Sequence, residues 1–297
     1  MKKIYLAFIT LSLLFIAVSC DKDLPYPIDE VKRGVVIDVV RVTGTDGVLS
    51  DGLTTGNYKI NLSIPEQQGD YSFMKQAQLV AVLQDVDGKM RSEVVMDNIT
   101  DFPKEITIDV ADVYSKLGLT TPSLGETLYF TTNTVLKDDV TVPGWNQVIG
   151  FNNKAFAGWQ VDGRAYSYNV RYSVACELIL DDFIGTNTVH VDEWDGGGYT
   201  VEIIKVSDTE LRVEGMFSGY GAPMTIKVDP TDHSISIPKQ ILVANPTAWW
   251  GNPSPYSNFS LAGGGTVNAC ETSLSFTAEA TVDQGSFGGG IGFKIGK

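Results

Sequence analysis

The sequence predicts an all-β protein, and three observations carry that prediction. Hydrophobic residues alternate with period two over most of the chain beyond Arg33, turn residues break the alternation at short intervals, and a single short segment has a helical pattern. With 297 residues the chain fits one large domain or two ordinary ones. Its 10% aromatic content gives enough apolar surface to offset chain entropy, which excludes a disordered chain.

Taken in order, Val35, Ile37 and Val39 face one way in a first strand, and Tyr58, Ile60, Leu62 and Ile64 repeat the pattern in a second. Further strands are expected over residues 78–84, 92–96, 105–110, 127–136 and 166–175. Asp85-Val86-Asp87-Gly88 reads as a hairpin turn with glycine in the left-handed position, and it lacks the longer ligand spacing of a calcium loop. Residues 111–117, stopped by Gly118, read as one short helix with a glycine C-cap. About seven strands and one helical turn across residues 34–175 predict an immunoglobulin-like β-sandwich.

From residue 176 to residue 297 the strands come at closer spacing, over 186–194, 199–206, 210–217, 224–229, 234–238, 258–267, 272–282 and 289–295. Short joins between most of them make successive strands antiparallel neighbours, a meander of eight. Such a meander removes both sheet edges by closing on itself, so a lipocalin-like barrel is expected, with an open two-layer sandwich as the alternative. Gly263-Gly264-Gly265 and Gly288-Gly289-Gly290 are followed by strand pattern, not by the helix a phosphate loop requires; they are expected at bends, bulges or close backbone approaches.

The N-terminus reads as an address. Lys2 and Lys3 precede an apolar run over residues 4–18, and Ser19 stands before Cys20, which together read as a secretory signal over residues 1–19. Ala17-Val18-Ser19-Cys20 resembles a bacterial lipobox, in which the cysteine is lipidated and becomes the first residue. That resemblance implies a membrane tether through Cys20 over residues 20–33, with a soluble body. Removing the signal takes two lysines with it, and the formal charge falls from −14 to −16. So acidic a chain lacks the basic footprint of a nucleic-acid binder.

Among chemistry-bearing groups, His190, Asp192 and Trp194 are expected on one strand face with Glu193 opposite, which is too few ligands for a closed metal set; His233 falls in a turn. Glu202 with Glu210, or Asp181 with Asp182, could be cast as a glycosidase pair, but nothing selects one pair among 36 acidic residues. Neither a catalytic set, a metal site nor a cofactor motif emerges. Cys176 and Cys270 either form a disulfide, as exported chains often do, or stay as small buried thiols.

The most informative segment is Ala248-Trp249-Trp250-Gly251-Asn252-Pro253-Ser254-Pro255-Tyr256. Indole and phenol rings stack on the C–H faces of sugars, amides engage hydroxyls, and proline lowers the ordering cost of such a platform. Trp249, Trp250, Asn252 and Tyr256 are therefore the leading ligand-binding residues. The competing reading is a loop folded back to plug a barrel end, since tryptophan is mostly buried. Trp145 and Trp159, in the weakly periodic stretch 143–163, form a second, weaker site; the bland alternative there is a hairpin covering the sandwich or a contact between domains.

The lipobox with its charged follower Asp21-Lys22-Asp23, the turn Asp112-Val113-Tyr114-Ser115-Lys116-Leu117-Gly118-Leu119, and Tyr172-Ser173-Val174-Ala175-Cys176 followed by Phe183-Ile184-Gly185-Thr186 resemble surface lipoproteins of Bacteroidota-type bacteria encoded beside SusC/SusD-like glycan importers. The resemblance implies an outer-membrane lipoprotein displayed at the cell surface, non-enzymatic, that binds an oligo- or polysaccharide or assists such an importer. A lipocalin-like carrier of a small apolar ligand and a structural or protein-interaction module are the alternatives.

Overall fold

The computed structural model describes residues 33–251 and 254–297. The expected signal peptide, Cys20 and all of the tether but Arg33 lie outside those residues. In chain order the first part comprises β1 (Asp38–Arg41), β2 (Val48–Ser50), β3 (Lys59–Ser63), β4 (Met74–Gln84), β5 (Met90–Ile99), β6 (Lys104–Thr107), helix α1 (Val110–Lys116) and β7 (Thr127–Leu136). Five two-residue strands follow, β8 (Thr141–Val142), β9 (Trp145–Asn146), β10 (Gly150–Phe151), β11 (Gln160–Val161) and β12 (Arg164–Ala165), and then β13 (Val170–Ala175).

These strands form a sandwich. One sheet has the order β1-β3-β6, and the other runs β2-β13-β7-β4-β5 with β8 alongside β7. The alternation dictates the packing: Val39, Ile60 and Leu62 of the first sheet meet Leu79, Leu83 and Phe130 of the second in one buried cluster. Helix α1 starts where the Asp109 side chain accepts from the Asp112 amide, and it buries Val110, Val113 and Tyr114. Gly118, at φ +76°, turns the chain out of the helix as the sequence predicts. Lys116 donates to the Val95 carbonyl at 2.8 Å and so occupies an acceptor on the outermost strand, β5.

The last expected strand of the sandwich is shortened for a physical reason. Residues 166–169 do not continue β13, because the Ser167 carbonyl accepts from the Val39 amide and the Tyr166 hydroxyl donates to the Ile37 carbonyl. That segment bonds to the first sheet before the chain enters the second. Beside it the Arg164 guanidinium closes on the fully buried Asp38 carboxylate, which also accepts from the Ser167 amide.

The second part comprises β14 (Gly185–Asp192), β15 (Tyr199–Ser207), β16 (Glu210–Glu214), β17 (Met224–Asp229), β18 (Ser234–Val243), a single helical turn α2 (Thr247–Trp250), β19 (Phe259–Asn268), β20 (Ser273–Val282) and β21 (Gly285–Gly296). Each strand pairs antiparallel with the next, and β21 returns to β14, so the eight strands close into a barrel. The open-sandwich alternative is thereby excluded. The barrel interior is filled by side chains, as expected at eight strands: Ile203, Leu211, Ile226, Leu274 and the stacked pair Phe276–Phe293, 4.9 Å apart, belong to one buried cluster.

Strand β18 runs five residues past its expected end at Pro238. A register shift between Ile237 and Gln240 absorbs the proline, whose missing N–H would otherwise interrupt the ladder. The two glycine runs take the roles expected of them. A Cβ at Gly263 or Gly265 would collide with the Thr277 or Ser275 carbonyl across the ladder, while Gly288 and Gly290, at φ +104° and +83°, lie along the irregular β20–β21 hairpin.

The two parts are joined by more than the chain. Cys176, just beyond β13, is bonded to Cys270 in the β19–β20 turn, with Cα atoms 5.2 Å apart. The Gly47 amide donates to the Thr231 carbonyl at 2.6 Å, and Arg41 lies 3.6 Å from Asp232.

Candidate functional site

At the opposite end of the barrel lie the 193–198, 215–223, 244–258 and 283–284 connections, and there the aromatic side chains collect. The chain leaves β18 through Asn245, whose side chain accepts from the Thr247 amide, and makes one helical turn before Gly251, at φ +98°, releases it. That turn sets Trp249 and Trp250 against each other, stacked at 4.9 Å. Their inner edges rest on two fully buried rings of the barrel core. Trp249 lies 4.9 Å from Phe217 and 5.2 Å from Phe259, and Trp250 lies 5.4 Å from Phe259.

Outward, Trp250 meets Trp194, Tyr256 and Phe287 at 6.0, 5.7 and 5.8 Å. Trp194, Trp250, Ser254, Pro255, Tyr256 and Phe287 line a recess of about 210 Å³. Both indoles of the loop are half-buried, while Tyr256 and Phe287 are 38% and 41% exposed. The loop thus combines the two expected arrangements: its inner faces close the barrel, and its outer faces border an open, ring-lined recess. Asn252 lies outside the described residues.

A buried carboxylate holds this rim in place. Asp192 accepts from the Trp194 and Asp195 amides and, through its other oxygen, from the Tyr199 hydroxyl at 2.7 Å. The Tyr199 oxygen in turn accepts from the Phe217 amide, and Asp195 accepts from the Trp249 indole N–H at 2.9 Å. Burial, and then the Asp192 carboxylate, push the Tyr199 hydroxyl well above the ordinary tyrosine range. One network therefore fixes the turn after β14, a core phenylalanine and a rim tryptophan.

The expected shared face of His190, Asp192 and Trp194 is not formed. A bulge between Val189 and Val191 turns His190 to solvent and Asp192 inward, and Trp194 lies past the strand end. Glu193 folds onto β21, accepting from the Gly292 amide at 2.7 Å. Register holds Glu202 and Glu210 apart, with Glu202 opposite Glu214 and Glu210 opposite Lys227, while Asp181 forms an ion pair with Lys205. No group of three or more His, Cys, Asp or Glu side chains is placed to hold a metal among the described residues.

Trp145 and Trp159 belong to different clusters. Trp145 stands across the β9–β10 ladder from Phe151, whose ring lies 5.4 Å from Tyr129 of β7. Gly144 crosses so close to β7 that a Cβ there would strike the Thr132 carbonyl. Trp159 packs on Phe156 at 4.8 Å and on the small core around Val36 and Tyr166. Residues 143–163 thus include a hairpin laid over the sandwich.

Sequence reasoning missed Phe287, which lines the recess, and Phe217, the core ring beneath Trp249. The one local signal was Phe287 standing alone among Gly285, Ser286 and Gly288, an apolar ring with no strand partner of its kind beside it. No protein-family model matches the chain, and a search of curated proteins finds no match.

Proposed function

We propose that the protein is a surface-anchored, non-enzymatic lipoprotein of the outer membrane that binds carbohydrate, or assists a SusC/SusD-like importer, through the aromatic rim of its barrel. The observation that carries this reading is the placement of Trp194, Trp250, Tyr256 and Phe287 around an open recess above a filled interior. Ring faces at such a recess suit the C–H face of a pyranose, and the Tyr256 hydroxyl supplies a polar partner. A carrier holding an apolar ligand inside the barrel is disfavoured, because core side chains such as Phe217, Phe259 and Phe276 occupy that space.

The test is glycan-array and calorimetric binding by the wild-type protein and by Trp250→Ala and Tyr256→Ala. Binding that disappears in both variants while far-UV circular dichroism and thermal unfolding stay cooperative supports the reading. A wild-type protein that retains no glycan sinks it. The anchor is tested separately, by mass spectrometry of the membrane-bound form: acyl chains on Cys20 are expected, and a free N-terminus at another residue contradicts it.

A further inference from the structure

We infer that the sandwich carries a second ligand site, independent of the rim, that takes a carboxylate-bearing sugar unit. A cleft of about 550 Å³ opens between the β4–β5 turn and the β9–β10 hairpin, lined by Asp85, Lys89, Arg91, Trp145, Asn146 and Gln147, with Gly88, Met90 and Gly150 completing the wall. That volume lies within the range of small-molecule sites, roughly 300–1,000 Å³. Its free polar groups are mostly donors. Asp85 directs one carboxylate oxygen to the Asp87 and Lys89 amides of its own turn, and the Asn146 carbonyl oxygen accepts from the Val148 and Ile149 amides, which leaves its NH₂ to donate.

Lys89 and Arg91 bring two positive charges to this wall against the single negative charge of Asp85, and among the described residues neither cation forms an ion pair, in a chain of net charge −14. A half-buried indole, amide donors and a guanidinium are the complement of a sugar that presents a C–H face, hydroxyls and a carboxylate. Neutral sugars would leave both cations unused. Sulfate esters can also offer two oxygens to a guanidinium, but at tetrahedral instead of planar geometry, so dextran sulfate tests whether the cleft selects a carboxylate or takes any anion.

The experiment is affinity electrophoresis of the full chain in gels containing polygalacturonate, neutral dextran or dextran sulfate, with melting curves recorded for every variant. Wild-type protein should be retarded by polygalacturonate. Lys89→Ala/Arg91→Ala, both exposed positions, should weaken that retardation by about tenfold or more. Gln147→Ala should weaken it less, and Trp250→Ala at the rim should leave it unchanged. No retardation of the wild type, an unchanged Lys89→Ala/Arg91→Ala variant, loss of retardation in Trp250→Ala, or equal retention by dextran sulfate each overturns the site. Because Trp250→Ala reports on the rim alone, failure of the rim proposal and failure of this one give different patterns.

Discussion

The two ends of the barrel are built from opposite materials. The end that meets the sandwich is closed by specific polar and covalent links: the Cys176–Cys270 bond, the Gly47–Thr231 hydrogen bond and the Arg41–Asp232 contact. The far end is closed by rings, with Trp249 and Trp250 laid over Phe217 and Phe259 and Trp249 bonded to Asp195, whose own amide is held by the buried Asp192. A barrel needs neither device to satisfy its backbone, since closure of the ladder already does so. The difference shows in what each end presents: one fixes the position of a neighbouring sheet, and the other leaves an apolar, partly exposed surface.

Removing the disulfide should give the largest change. It closes a loop with a sequence separation of 94, so Cys176→Ser/Cys270→Ser should lose about 4–5 kcal/mol of unfolding free energy in the loop-entropy model, measured by urea denaturation. The glycan binding proposed for the rim should survive that loss at native conditions. Next, Asp192→Ala leaves the Trp194 and Asp195 amides and the Tyr199 hydroxyl without their acceptor, for about 2–3 kcal/mol and a red-shifted tryptophan emission. Trp249→Ala removes a half-buried ring and a hydrogen bond, for about 2 kcal/mol, below the ~3–5 of a fully buried tryptophan.

The ends should also part with pH. At the sandwich end, burial lowers the His233 pKa, so the unfolded chain takes up a proton that the fold resists; stability there is present above pH 6.5 and is lost as pH falls. Asp232 acts in the same direction. Burial by itself would raise its pKa, but hydrogen bonds from Ser234, with Arg41 and His233 nearby, hold it below the usual value of 3.8, so its contribution also fades in acid. At the rim the Tyr199 pKa is raised, so its contribution is complete below pH 10 and is lost as pH rises past it. Tyr199→Phe should flatten the alkaline limb of the stability curve and leave the acid limb unchanged. Four sandwich tyrosines also titrate high, Tyr58 being pushed up to about 12 by burial and Asp46, so part of the alkaline loss will remain. The smallest effect belongs to Arg41→Ala. Its contact with Asp232 is partly exposed at 3.6 Å and should contribute below about 1 kcal/mol by denaturation.

The barrel was more legible in the sequence than the site. Successive strands pair with their chain neighbours there, so alternation and short turns such as Ser207-Asp208 and Pro230-Thr231-Asp232 nearly spell out the ladder. In the sandwich, the parallel pairing of β2 with β13 joins segments more than a hundred residues apart, and no local pattern announces it. The rim lies between these cases. Trp249, Trp250 and Tyr256 stand out as a cluster in one loop, yet Phe217, Trp194 and Phe287 come from three other connections or hairpins and meet them only when the barrel closes.

The sequence by itself determined the all-β class, the order of the barrel strands and which side of most of them is buried, because period-two hydrophobicity is a local property that water reads residue by residue. Only the tertiary structure decided that the meander closes, that a bulge parts His190 from Asp192, and that the two tryptophans are half covered and half open. Those outcomes depend on register and on contacts between distant segments, which a free energy summed along the chain does not contain.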